Sequence, residues 1–146
     1  MKRVALLTVV VMGLVSWPGL ALGASRQYNG PTASGANAGV EFGARLVHGK
    51  PVSVRRFSWF NVPAPCNGSG STASSDMLGI TMRVTSKRTF HATATLSGGG
   101  PKVTVVGKFS RNFKKVTGTI RVNGSFPGCG VADSGTIRWT ALPVGH

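Results

Sequence analysis

An all-β fold is the first expectation for this chain: an antiparallel β-sandwich or small barrel of about 7–8 strands, held by one disulfide. Three observations predict it. Apolar and polar residues alternate with a period of two through most of residues 78–141. That spacing turns one face of a strand inward and the other to water. No window carries the recurrence of an amphipathic helix. One phrase also occurs twice: Thr117-Gly118-Thr119-Ile120-Arg121 and Ser134-Gly135-Thr136-Ile137-Arg138, the second running on into Trp139-Thr140-Ala141. It reads as two strands of one sheet.

Residues 1–23 read as an address. Lys2 and Arg3 precede an apolar run over 4–15, and Ala21-Leu22-Gly23 offers small residues for cleavage before Ala24. This is the pattern of a secretory signal peptide. The alternative, a membrane anchor, is disfavoured because the run falls short of the roughly 20 apolar residues a span needs. Nothing later is apolar for long enough, so the mature chain is expected to be extracellular or at the cell envelope, with no membrane span.

The mature chain would have 123 residues, enough for one core. Residues 24–37 are small and polar, with Gly30-Pro31 and Ser34-Gly35, and are expected to be a flexible lead-in. A single β domain over 38–146 follows. Residues 40–60 have strand character in two pieces, broken near Gly49-Lys50-Pro51. The second piece carries Phe57, Trp59 and Phe60 and is expected to stop at Pro63 and Pro65. Residues 66–76, rich in Gly, Ser and Thr, read as a loop.

Beyond Asp76 the alternation is regular. Leu78, Ile80, Met82 and Val84 share one side of a strand, and Phe90, Ala92, Ala94 and Leu96 one side of the next. Val103, Val105 and Phe109 follow, then Val116, Ile120 and Val122, then Ile137, Trp139 and Ala141. Gly98-Gly99-Gly100-Pro101 and Arg111-Asn112-Phe113 suit hairpin turns. Trp59 and Trp139 are expected in the core; an exposed ring would instead be a platform for stacking sugars.

Two cysteines in an exported chain allow one pairing, Cys66 with Cys129. Closing that loop stabilises the fold by roughly 4 kcal/mol on the chain-entropy account.

Charge is the next constraint. The signal takes two of the 17 basic residues, leaving 15 against Glu41, Asp76 and Asp133, a net charge of +12. Such a chain is drawn to anionic surfaces. In sequence the cations are scattered, with only Arg55-Arg56, Lys87-Arg88 and Lys114-Lys115 adjacent. The partners expected are anionic cell-wall or surface polymers, with no specific nucleic acid. The polar side of the strands is rich in threonine with interspersed cations. It reads either as ordinary solvated sheet or as a flat recognition surface. On the second reading Arg83, Arg121 and Arg138 form a cationic stripe; Arg121 and Arg138 occupy equivalent places in the repeated phrase.

Motifs for chemistry are nearly absent. Glycoside hydrolysis needs a carboxylate pair, and only Glu41, Asp76 and Asp133 are available. His48, His91 and His146 are too far apart for a local metal motif. There is no Gly-x-Ser-x-Gly elbow, phosphate loop or dinucleotide fingerprint. No catalytic residue, metal or cofactor is assigned.

Several blocks together carry a resemblance. Pro63-Ala64-Pro65-Cys66-Asn67-Gly68, Gly107-Lys108-Phe109-Ser110, the first copy of the repeated phrase, Cys129, and the second copy through Ala141 resemble a group of uncharacterised secreted actinobacterial-type all-β proteins. The likeness spans about residues 40–142. It implies a secreted β fold and no particular activity. One departure is that Cys129 stands several residues before Ser134-Gly135. The leading function is a non-catalytic extracellular binding or envelope-associated module for anionic polymers or glycans. The rival is a small secreted hydrolase with a site assembled from distant residues, which requires two carboxylates and a histidine in one cleft.

Overall fold

A computed structural model describes residues 23–68 and 70–145. The expected signal peptide over 1–23 lies, but for Gly23, outside the described residues, as does His146. Among the described residues ten strands form one antiparallel sheet. They are β1 Ser25–Thr32, β2 Gly35–Val47, β3 Lys50–Pro65, β4 Ser71–Leu78, β5 Met82–Arg83, β6 Thr89–Thr95, β7 Lys102–Phe109, β8 Val116–Phe126, β9 Gly130–Asp133 and β10 Ile137–Pro143. The spatial order is β4-β3-β2-β1-β10-β8-β7-β6; β5 pairs with β3 and β9 with β8. Because β5 also packs against β6, the sheet curls into a nearly closed barrel. There is no α-helix among the described residues, only a short 3-10 turn at Ser97–Gly99.

The inward residues are those the alternation selects. Val103, Val105 and Phe109 on β7, Val116, Ile120 and Val122 on β8, and Trp139 and Ala141 on β10 are all buried. The interior is an aromatic cluster around Phe42. Its ring lies 5.4 Å from Tyr28, 5.5 Å from Phe57, 5.7 Å from Phe90 and 5.8 Å from Trp139. Rings this large fit a narrow barrel only where small residues face them. A Cβ on Gly107 would fall within the Phe90 ring, and one on Gly118 within Trp139. The Trp59 indole N–H donates to Ser74 Oγ at 2.9 Å, whereas the Trp139 N–H, also buried, has no partner among the described residues.

The two copies of the repeated phrase are neighbours. β10 pairs antiparallel with β8, with Ile137 opposite Ile120 and Trp139 opposite Gly118. The disulfide Cys66–Cys129 is formed, with a Cα–Cα distance of 5.5 Å. It ties the end of β3 to the β8–β9 turn, where the Asn67 N–H also donates to the Val131 carbonyl at 2.7 Å.

Three expectations are corrected. Residues 25–32 of the expected flexible lead-in are strand β1, paired on both sides, with β2 and β10, and Tyr28 is fully buried. The Tyr28 hydroxyl donates to the Phe113 carbonyl at 2.9 Å. The domain therefore begins at β1 rather than at residue 38. Second, the expected loop over 66–76 becomes strand from Ser71, laid against β3, which runs on through Pro63 to Pro65. Proline has no N–H to give a ladder, but beyond Phe60 β3 pairs with β4 alone, so the strand passes Pro63 and ends, as expected, at Pro65. Third, the expected strand through Leu78, Ile80, Met82 and Val84 is broken between β4 and β5, and Ile80 is exposed.

Candidate functional site

The three arginines expected to form a stripe are not all together. Arg138 lies opposite Thr119, two residues from Arg121 on β8, so these two share an outer face as diagonal neighbours. Arg83 is on β5, opposite Ser53 of β3. The path β5, β6, β7, β8 separates it from Arg121 by three strand spacings, roughly 14 Å. Arg121 is also engaged. Its Nε donates to Asp133 Oδ1 at 3.0 Å, a second guanidinium N–H donates to Oδ2, and the Gly135 N–H donates to Oδ1 at 2.9 Å. These bonds hold the Asp133 carboxyl below its ordinary value, the guanidinium being the larger cause. The threonines of this face bond to one another as well, as Thr93 to Thr104 at 3.3 Å.

Antiparallel pairing gathers the cations elsewhere. Alternate turns of such a sheet fall at the same end of the barrel. The turns over residues 48–49, 84–88 and 110–115 lie at one end with the start of β1 and the close of β10. The turns over 33–34, 96–101 and 127–129 and the β3–β4 connection lie at the other, while 134–136 only interrupts the line of β9 and β10 along β8. The first set carries Lys87, Arg88, Arg111, Lys114 and Lys115; the second carries no Lys or Arg at all. Every cation of residues 24–145 except Lys102, Arg121 and Arg138 lies in the half nearer the first set. Asp133 lies in the opposite half. Glu41 and Asp76 sit near mid-height, opposite Ser58 and Trp59. The scatter of cations along the sequence is thus a concentration in space, legible only once the parity of the turns is known.

Two hollows open in this basic half. One, of ≈ 360 Å³, is lined by Arg88, Lys108, Arg111 and Lys115 beside Phe109 and Thr117. Arg88 Nε there already donates to the Phe109 carbonyl at 3.3 Å. The other, of ≈ 290 Å³, lies on the outer face of β1–β3 and is lined by Arg45, Arg55 and Arg56 with Ser25, Gln27 and Gly43. Neither holds a carboxylate. Like charges about 8 Å apart, the diagonal spacing of a sheet, repel by roughly 0.5 kcal/mol in water.

The second hollow has a built character. The β2–β3 register passes from Glu41 opposite Ser58 to Gly43 opposite Arg55, so β3 contributes one residue more than β2. At this bulge Arg56 takes a φ of 50°. Consecutive strand residues ordinarily point to opposite faces. Here Arg55 and Arg56 are both exposed, between buried Val54 and buried Phe57. Across from Arg55, Gly43 leaves the floor open; a Cβ there would stand 3.2 Å from the Gln27 amide nitrogen. One row further, Ser53 lies in register between Arg45 on β2 and Arg83 on β5. Ser53 is 8 % exposed, and its hydroxyl makes no hydrogen bond among the described residues. Leaving such a group unmet costs about 1–3 kcal/mol.

Among the described residues the carboxylates and histidines do not converge. Asp76 lines two adjoining clefts between β4 and the β6–β7 turn, in each as the sole carboxylate and without a histidine. His48 is in the β2–β3 turn, and His91 is on the outer face of β6, opposite Val106. Among the described residues no three of His, Cys, Asp and Glu cluster as a metal site would require. No helix among them is long and apolar enough to cross a membrane.

No family model, curated protein or solved structure matches the chain.

Proposed function

We propose that the protein is a secreted, non-catalytic binding module that holds anionic polymers of the cell wall or cell surface through the basic end of its barrel. The observation that carries this reading is the gathering of cations from two turns and the adjoining strands at one end, with no carboxylate in either of its two hollows. Arginine forks and lysine ammonium groups held on a rigid barrel suit the repeated oxyanions of such a polymer. The disulfide accords with an oxidising compartment. Arg83 belongs to this contact surface, whereas Arg121 and Arg138 do not.

Two double variants test it, each removing two positive charges. Lys114→Gln/Lys115→Gln strips the basic end, and Arg121→Gln/Arg138→Gln strips the threonine-rich face. Affinity for heparin near 0.1 M salt should fall up to about threefold for the first and stay near the wild-type value for the second, because screening beyond roughly 10 Å confines the effect to nearby charges. Equal losses would mean that net charge alone matters. A larger loss for the second would return the contact to the threonine-rich face.

A further inference from the structure

We propose that the hollow over Gly43 and the row beside it form a dedicated oxyanion site, taking phosphate or sulfate ester groups of a polyanion. Arg45, Arg55 and Arg56 hold one group in the hollow. The Ser53 hydroxyl and Arg83 receive the next group of the same polymer. This rests on the polyanion reading above and gives it a site.

Four observations converge on this place. The bulge brings two consecutive arginines to the outer face, which a regular strand cannot do. Arg56 holds a left-handed backbone, φ 50°, that disfavours side chains like its own. Strain of this kind clusters where a side chain has a task, which makes Arg56 a candidate for one. Gly43 supplies depth where any side chain would press on Gln27. Ser53 offers a hydroxyl that is buried and unbonded, in register between two arginines. An anion at Ser53, beside Arg83, meets a donor that the fold itself leaves unused. Arg45 and Arg83 stand two strand spacings apart, roughly 10 Å, which suits a stretch of polymer better than a single ion. The other hollow of the basic half, at Arg88 and Lys115, has cations but no buried donor left free among its lining residues. It extends the attraction without fixing the position of a group.

The test measures equilibrium binding of the mature protein to heparin and, separately, to long-chain inorganic polyphosphate, at fixed salt. Arg55→Gln/Arg56→Gln should weaken binding about tenfold or more, since a charge-assisted hydrogen bond to an oxyanion is among the stronger polar interactions. Lys114→Gln/Lys115→Gln, an equal charge change on the same end, should weaken it roughly threefold or less. Ser53→Ala changes no charge and should still cost roughly fivefold. Arg56→Gly should raise Tm while lowering affinity, a pairing that a purely structural arginine would not give. Dependence on these residues in the heparin arm alone assigns sulfate esters, in the polyphosphate arm alone phosphates, and in both the shared oxyanion chemistry; each supports the site. If the wild-type protein binds a polymer and the two double variants weaken it alike, with Ser53→Ala silent, the site is wrong and the basic end acts as a diffuse charge. Binding of neither polymer by the wild-type protein would instead overturn the polyanion reading itself.

Discussion

The two ends of the barrel are built from the same strands and differ in almost everything else. At the disulfide end the turns are Gly- and Ser-rich, carry no Lys or Arg, and are fixed by Cys66–Cys129, the added strand β9 and the Arg121–Asp133 pair. At the basic end the turns carry five cations, no disulfide, and the backbone-strained residues His48, Arg88 and Phe113. One end is tied covalently and nearly neutral; the other is held by packing and heavily charged. Covalent restraint and positive charge are thereby separated along the barrel axis. Self-repulsion of the cations is a cost that the covalent end and the shared aromatic core offset.

The strongest way to break this comparison is through the core that both ends share. Trp139→Ala should cost about 3–5 kcal/mol, read by chemical denaturation, since the ring is buried among Phe42, Phe57 and Phe90. An unresolvable change would put the ring at the surface and revive the stacking reading. Removing the disulfide as Cys66→Ser/Cys129→Ser should cost roughly 4 kcal/mol. Where the variant remains folded, heparin affinity should stay at the wild-type value. Weakened binding by a folded variant would show that the two ends are not independent.

A smaller effect is expected at Tyr28, which links β1 to the β7–β8 turn. Tyr28→Phe should cost about 1 kcal/mol by removing the bond to Phe113. Burial pushes the phenol above its ordinary value, with Arg26 partly opposing. A raised value means that the folded state holds the proton more tightly. That contribution is complete below about pH 10, where the unfolded phenol titrates, and is lost as pH rises through the folded value. Since Tyr28 is the chain's only tyrosine, absorbance at the phenolate band follows it alone, and Tyr28→Phe should remove the corresponding loss of stability. The smallest effect belongs to Asp133. It and Arg121 are both exposed, so Asp133→Asn should leave Tm at neutral pH unchanged within error. The lowered carboxyl value adds stability only above its unfolded titration, a gain lost as pH falls through the folded value.

The strand alternation, the disulfide pairing and the burial of Trp139 were legible in the sequence because each is local or forced by elimination. The basic end was not, because it depends on which turns share an end. Lys87 and Lys114 are separated by two full strands in sequence and fall at the same end only through the hairpin order. Counting turns from β1 onward would have found it, but β1 itself was hidden: residues 25–32 contain one large apolar side chain, Tyr28, and read as linker. β4 was missed likewise, since Ser74 and Leu78 are its only buried residues. The arginine hollow needs the bulge at Arg56, which no period of two reveals.

The most direct test of the basic end as the binding surface is amide shift mapping by NMR as heparin is added to the mature protein. The account predicts shifts concentrated at Arg45, Ser53–Arg56, Arg83–Arg88 and Lys108–Lys115, with Thr93, Thr104, Arg121 and Arg138 unmoved. Shifts confined to those last four residues, with the basic end silent, would contradict it.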